Sequence, residues 1–177
     1  AEKRGDVDPI HKVTIIPRGR ALGLTSWLPD DRKTMSKSYA ENRVAMAMGG
    51  RIAEEIIFGE WNTGAANDID QATEIARRMV CEWGMSGKMG PLAFGRKEGE
   101  VFLGRDFTST QQNYSDQTAV DIDDEVRRIV TEQYARAKKL IESRLESLTA
   151  IAKALLEYET LDKKDIDTLM TGGSLTR

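Results

Sequence analysis

The chain has 177 residues, of which 40% are hydrophobic and 31% are charged, and its formal net charge is −3 at pH 7. This length and composition suit one globular domain with its own core, and the small acidic excess gives no sign of a nucleic-acid-binding surface. No apolar run approaches the length of a membrane span, and no signal peptide is visible. Cys81 is the only cysteine and His11 the only histidine, so these residues alone exclude an intrachain disulfide, a two-histidine metal site and a catalytic histidine pair.

The first elements are predicted to form a small β-hairpin. Apolar side chains at Val13 and Ile15 alternate with polar ones, which is typical of a half-buried strand. Turn-forming residues follow at 17–20, and residues 21–27 are predicted to return as a second strand. Gly23 lies within that second strand, where it indicates either the close approach of another backbone or a bulge.

The next helix is predicted to begin at Ser36 or Ser38 and to run to about Phe58. Ser38 and Glu41 have the spacing of a capping box. The glycines at 49–50 fall in the middle of this helix, where they cost stability, and they therefore predict a tightly packed crossing or a kink.

Two adjacent acids near the end of this helix, Glu54 and Glu55, differ in their expected environment. Their side chains point about 100° apart, so both cannot be equally solvated. Glu54 shares its side of the helix with Ile57 and Phe58 and is the candidate for burial. An amphipathic helix with ordinary surface acids is the alternative.

The clearest helical pattern covers residues 67–84, with Asn67 as the predicted cap and Gly84 as the stop. Its apolar residues recur at steps of three and four on one face, the spacing of a buried stripe. Asp68 falls on that stripe, where an unpaired carboxylate is costly. It is either a solvated first-turn acid that complements the helix dipole or a metal ligand held at a rigid helix terminus. The stripe consists of Ile69, Ala72, Ala76, Met79, Val80 and Trp83.

The remainder is predicted to be a glycine-rich loop followed by helices. Residues 85–114 favour loop structure with a short hairpin between 91–94 and 101–103, and they lack the signature of a phosphate-binding loop. Helical periodicity then extends from Ser115 to Tyr158, too long for one globular helix, so a break is predicted near 143–146. A short helix over 162–170 and a disordered tail over 171–177 complete the prediction.

Five phrases together resemble one protein family: HKVTIIPRGRALG, GGRIAEEIIFG, TGAANDIDQAT, GPLAFG and EVFLGRD. From about Asp8 to Met170 the chain resembles the peptidase domain of the FtsH family, the membrane-anchored AAA+ zinc metalloproteases. The resemblance implies a mainly α fold, a helical metallopeptidase domain with a small β-hairpin near the N-terminus and a C-terminal helical bundle. Residues 1–114 would be the zinc-peptidase subdomain, and 115–170 the C-terminal helical part of the same domain.

The resemblance also implies a zinc site. In this family two histidines of an HExxH helix and an aspartate of a later helix hold zinc, and Asp68 matches that aspartate by position. Glu54 matches a glutamate near the metal, which implies that it orients a ligating histidine. The HExxH helix, with the glutamate that acts as general base, is expected upstream of Ala1, so no catalytic residue is assigned within this sequence. Without that helix the chain is expected to be inactive and to expose the apolar face of residues 69–83.

Further expectations concern partners and location. The family resemblance implies an upstream AAA+ module that binds ATP and Mg, a homohexamer, polypeptide substrates, and anchorage in the inner or cell membrane with this domain on the cytoplasmic side, or an organellar equivalent. The strand formed by Ala21, Leu22, Gly23, Leu24 and Thr25 is a candidate for pairing with an extended substrate. The alternative function is a catalytically inert helical oligomerisation module. An unrelated coiled-coil adaptor fits only the last helices and leaves TGAANDIDQAT unexplained.

Overall fold

The computed structural model describes residues 7–17, 23–27, 34–95 and 114–175. Among the predicted features, Ala21, Leu22 and the strand at 101–103 lie outside these ranges. The chain divides into two compact units, one made of Ala1–Met35 with Lys138–Arg177 and the other of Ser36–Ala137. The subdomain boundary between residues 114 and 115 stays a prediction.

Six helices and three strands make up the described residues, which confirms the mainly α fold class. The helices are α1 Lys37–Ala47, α2 Gly49–Phe58, α3 Ala66–Cys81, α4 Asp116–Glu142, α5 Leu145–Tyr158 and α6 Lys163–Met170, and a 3-10 turn, Thr63–Ala65, precedes α3. The strands are β1 Ile10–Thr14, β2 Leu24–Trp27 and β3 Thr160–Asp162. Within the described ranges, no helix combines the length and apolar character that a membrane span requires.

The first unit contains a three-stranded antiparallel sheet in the order β2-β1-β3. The predicted hairpin is β1 and β2, but the expected alternation fails at its end. Ile15 lies beyond β1 and is 37% exposed, whereas Thr14 is buried. The Thr14 hydroxyl donates to the Glu159 carbonyl at 3.0 Å and lies 2.8 Å from the Thr160 hydroxyl. A polar residue is therefore buried here because β3, a strand that the sequence pattern did not reveal, satisfies it.

The core of this unit contains residues from the N-terminal and the C-terminal parts of the sequence. Leu161 of β3 is fully buried, and Ile10 and Val13 of β1 pack against the same cluster. The cluster is completed by Ala154, Ile166 and Leu169. Asp162 caps α6 through a reciprocal capping box with Asp165, which confirms the short C-terminal helix.

The second unit buries the apolar face of α3, and the predicted exposure of that face is wrong. Ala72, Ala76, Met79 and Val80 are all 0% exposed. Helices α1 and α4 supply the residues that cover this face, and small side chains such as Ala40 and Ala76 allow the backbones to approach closely. The core cluster consists of Ala40, Ala76, Met79, Val80, Cys81, Ile122, Val126 and Ile129.

The predicted helix over 36–58 is two helices. The Ser36 hydroxyl accepts from the Tyr39 amide at 3.2 Å, so Ser36 is the N-cap of α1 and Ser38 lies inside the helix. The helix is interrupted at Met48, immediately before the two glycines, and α2 starts at Gly49. This confirms the kink that the glycines predicted.

The later boundaries are partly as predicted. The break between α4 and α5 falls at residues 143–144, as the length of the helical pattern required. The strand predicted over 91–94 is wrong: these residues form no strand, and the Phe94 amide instead donates to the Cys81 carbonyl at 2.8 Å. Gly84, the predicted helix stop, follows α3 with φ of 58°, a conformation that suits glycine.

Candidate metal-binding site

The start of α3 places Asp68. The Asn62 side chain accepts from the Gly64 amide at 2.8 Å and so initiates the 3-10 turn that leads into the helix. The α-helix begins at Ala66, so Asn67 lies inside it and the predicted capping role of Asn67 is wrong. Asp68 occupies the first turn, half-buried, where the amide-rich end of the helix favours a negative charge.

Helix α2 lies opposite this turn. A glycine of α2 faces the acid at the start of α3, and a glycine that precedes α3 faces an acid of α2. A Cβ built on Gly50 would lie 3.8 Å from Asp68 Oδ2, and one built on Gly64 would lie 3.8 Å from Glu54 Oε1. Gly50 and Glu54 are one helical turn apart, and Gly64 precedes Asp68 by the same interval. The two segments therefore run antiparallel, and both carboxylates border one crevice, here called the α2–α3 crevice (Gly50, Glu54, Gly64 and Asp68).

Glu54 brings an unsatisfied oxygen to this crevice. Its side chain is partly buried, and its Oε2 is fully buried with no hydrogen-bond partner among the described residues. A buried carboxylate oxygen without a donor is costly, so such an atom indicates a place where an N–H donor or a cation would be stabilising. Glu54 and Glu55 are both half-buried, and Ile57 and Phe58 on the expected buried side are exposed, so the predicted burial of Glu54 rather than Glu55 is not observed.

The described residues supply only part of a metal-binding set. Within these ranges no group of three or more histidine, cysteine, aspartate and glutamate side chains could hold a metal ion. His11 lies exposed on β1 in the other unit. Asp68 provides one carboxylate ligand of the kind that zinc accepts, and Glu54 provides an acceptor of the kind that orients a zinc-bound histidine. These side chains fit a zinc site that other ligands complete.

The predicted substrate strand is described from Gly23 onward. Leu24 and Thr25 are exposed, and β2 pairs only with β1, in the register Thr14 with Leu24. The second side of β2 is an edge within the described sheet. A Cβ on Gly23 would lie 2.9 Å from the Thr14 carbonyl oxygen, so the close backbone approach that Gly23 predicted is made by β1 itself.

The sequence pattern did not reveal two polar contacts that α4 makes. Glu125 of α4 is 1% exposed and accepts from the Ser86 hydroxyl at 2.6 Å and from Arg128 Nε at 2.7 Å. Tyr134 of α4 donates to Glu55 of α2. Glu125 lies three residues after Ile122, on the apolar stripe of α4, so the stripe could have indicated it in the way that it indicated Asp68.

Comparison with known proteins identifies the class. Residues 3–169 match Peptidase family M41, and the chain belongs to that family. The FtsH resemblance is confirmed by relatives over almost the whole chain. It is 58% identical over 171 residues to "ATP-dependent zinc metalloprotease FtsH" of Myxococcus xanthus, covering 96% of this chain and 27% of the relative.

Two further relatives carry similar names. The chain is 54% identical to "ATP-dependent zinc metalloprotease FtsH 4" of Sorangium cellulosum, over 95% of the chain and 26% of that protein. It is 51% identical to "ATP-dependent zinc metalloprotease FtsH" of Bacillus subtilis, over 96% of the chain and 27% of that protein. The chain therefore spans about a quarter of the length of these relatives.

Proposed function

We propose that this chain is the peptidase part of an ATP-dependent zinc metalloendopeptidase that degrades unfolded or membrane proteins. The observation that supports it most directly is the α2–α3 crevice, which Asp68 borders with a half-buried carboxylate and Glu54 with an unsatisfied buried oxygen. The match to Peptidase family M41 over residues 3–169 favours this function over an inert module built from the C-terminal helices alone.

In this proposal each residue of the crevice has a separate role. Asp68 is the third protein ligand of zinc, presented at a rigid helix start, and two histidines of an HExxH helix outside these 177 residues complete the set. Glu54 accepts the N–H of one such histidine through Oε2 and fixes its orientation. When bound, zinc supplies Lewis-acid activation of water and of the scissile carbonyl.

The substrate would bind as an added strand. β2 is an edge strand with exposed side chains at Leu24 and Thr25, so its outer side can pair with an extended polypeptide. Gly23 allows β1 and β2 to approach closely, because its missing side chain leaves room for the Thr14 carbonyl. Ala21 and Leu22 belong to the same proposed strand and lie outside the described residues.

The whole protein's properties follow from the family resemblance. An AAA+ module that binds ATP and Mg would drive substrates to this domain, the assembly would be a homohexamer, and the protein would be anchored in the inner or cell membrane with this domain on the cytoplasmic side, or the organellar equivalent. Each of these stays a proposal, because the chain spans about a quarter of its relatives.

Zinc binding to the full-length protein tests the site. The wild-type protein should bind close to one zinc per chain, whereas Asp68→Asn should lose stoichiometric zinc and protein cleavage together. Glu54→Gln should weaken zinc binding by roughly 10- to 100-fold, the usual effect of removing the partner of a ligating histidine. Metal content and chelator competition measure both effects.

Asp70→Asn is the matched control, since Asp70 is an exposed acid two residues further along the same helix. This variant should keep its zinc and its proteolytic activity. An Asp68→Asn protein that retains stoichiometric zinc would rule out Asp68 as a ligand.

A further inference from the structure

Helix α2 carries half of the α2–α3 crevice but is weakly held by apolar packing. Ile52 is its only fully buried residue. At its C-terminal end Ile57 is 55% exposed and Phe58 is 72% exposed. Because few apolar contacts hold this helix, polar contacts to neighbouring helices matter more for its position.

Helix α4 provides such a contact. The Tyr134 hydroxyl donates to Oε2 of Glu55, a bond between residues 79 positions apart in the sequence. The neighbouring residue Gln133 is buried, so this part of α4 is embedded in the unit. Arg136, half a turn further on, donates to Asn42 of α1 at 2.6 Å. Helix α4 thus supports both α1 and α2 through side-chain hydrogen bonds.

The bond between Tyr134 and Glu55 also affects the orientation of Glu54. The two acids are consecutive on α2, so a contact that fixes the rotation of the helix at Glu55 also fixes the direction in which Glu54 points. Gly50 lies one turn before Glu54 on the same side and faces Asp68. Any rotation of α2 would move Glu54 and Gly50 together relative to the start of α3.

We propose that Tyr134 is a positioning residue for the metal site: by holding Glu55 it sets the rotation of α2, which keeps Glu54 and Gly50 aligned with Gly64 and Asp68. This inference rests on the proposed zinc-peptidase function and extends it to a residue of α4 outside the crevice. Hydrogen bonds that a carboxylate accepts are roughly twice as strong as those between neutral groups. Loss of the hydroxyl should therefore loosen α2 without removing any metal ligand.

The test compares Tyr134→Phe with Tyr114→Phe in the full-length protein. Tyr114 precedes α4 and packs edge-on against Phe94, so its phenylalanine variant keeps the ring contact and removes only a hydroxyl that makes no hydrogen bond to α2 within the described residues. Tyr134→Phe should weaken zinc binding by up to about 10-fold in chelator competition and by less than Glu54→Gln, since direct partners of metal ligands typically contribute about 10- to 100-fold and Tyr134 acts through Glu55. ATP hydrolysis should stay unchanged, and in the metal-free protein the backbone amides of α2 should exchange hydrogen faster. Tyr114→Phe should leave zinc binding and α2 exchange at wild-type values.

Variants of Glu55 separate positioning from general destabilisation. Glu55→Gln keeps an acceptor for the Tyr134 hydroxyl and should bind zinc nearly as well as the wild type. Glu55→Ala should weaken zinc binding at least as much as Tyr134→Phe, and the double variant should lose less than the sum of the two single losses, because both single variants remove the bond between Tyr134 and Glu55.

Two results would overturn the inference: a Tyr134→Phe protein with the zinc affinity of Tyr114→Phe, or additive losses in the double variant. A wild-type protein that binds no zinc would refute the proposed function instead. In that case the exchange measurement still decides the structural claim, since unchanged α2 exchange in Tyr134→Phe would mean that this bond does not fix the helix.

Discussion

Glu125 shows how one buried charge is stabilised in this protein. Its side chain is 1% exposed and receives two hydrogen bonds from Arg128 and one from Ser86. The bonds from Arg128 are the main cause that lowers the pKa of Glu125 to about 2, with Ser86 acting in the same direction and burial opposing them. Ser86 also accepts from the Met89 amide at 3.0 Å, so the acid ties the loop after α3 to α4.

The stability of the chain should therefore depend on this carboxylate in acid. The pKa of Glu125 in the folded state, about 2, lies below the value of about 4.3 expected in the unfolded chain. Its contribution is complete above the unfolded-state pKa and is lost as the pH falls towards 2. Urea unfolding from pH 7 to pH 2 should show this loss. Glu125→Gln should flatten the acid slope and lower the free energy of unfolding at pH 7 by about 2 kcal/mol.

Glu132→Gln is the control at the same arginine. Glu132 is 55% exposed and also accepts from Arg128, at 2.6 Å. Since exposed ion pairs contribute little, this variant should change the free energy of unfolding by less than about 1 kcal/mol. If Glu125→Gln and Glu132→Gln lowered the free energy of unfolding equally, the burial of Glu125 would not be the reason why its ion pair is important.

Single residues also show how much of the candidate site could be predicted from the sequence. The position of Asp68 on an apolar stripe was enough to mark it as unusual, whereas the expected difference in burial between Glu54 and Glu55 is not observed, because both are half-buried. The partners of these acids could not be predicted, because Tyr134 lies 79 residues from Glu55 and nothing local encodes that contact. Asn67 was misassigned because a 3-10 turn moved the start of the helix to Ala66.

Secondary-structure elements were predictable where their signals were local. The hairpin follows from alternation and a turn, and the break at Met48 follows from two consecutive glycines. The third strand was not predictable: β3 has three residues, and its partner β1 lies at the opposite end of the chain. Because β3 pairs with β1, Thr14 is buried and Ile15 is exposed, which is the reverse of the predicted pattern.

On its other side β2 is an edge strand of the described sheet, which leads to a prediction about substrate binding. The register directs the Leu24 amide towards β1, so the Thr25 amide is the donor on the outer side of β2. Thr25→Pro in the full-length protein removes this donor and should abolish cleavage of an unfolded protein substrate while ATP hydrolysis continues. Thr25→Ala retains the amide and should preserve most of the cleavage, because the proposed pairing uses the backbone. Rates of substrate degradation and of ATP hydrolysis are the two measurements.

Circular dichroism should accompany these rates, so that an unfolded variant is recognised. A folded Thr25→Pro protein that still degrades its substrate at the wild-type rate would exclude β2 as the substrate strand. A comparable loss in Thr25→Ala would instead assign the effect to the threonine side chain.

On the scale of the whole chain, the described residues form two cores. One is built by residues from both ends of the sequence and the other by residues 36–137. Periodicity identified the apolar face of α3 correctly, but it could not show which helices cover that face. The expectation of an exposed surface failed because α1 and α4 lie within the same 177 residues and bury it.

The core formed by the chain ends should be sensitive to a cavity at Leu161. This side chain is 0% exposed, so Leu161→Ala should lower the free energy of unfolding by roughly 2–5 kcal/mol. Leu156→Ala is the matched control, because Leu156 is 78% exposed and its truncation should cost less than about 0.5 kcal/mol. Denaturant unfolding of the two variants provides the comparison, and similar losses would contradict the assigned core.

The burial of Cys81 has a practical consequence. This residue is the only cysteine of the chain, it is 9% exposed, and burial raises the pKa of its thiol. Thiol reagents attack the thiolate, so Cys81 should be nearly inert to maleimides near neutral pH. A cysteine introduced at an exposed position would then accept a fluorophore or spin label alone, and the natural cysteine could stay in place.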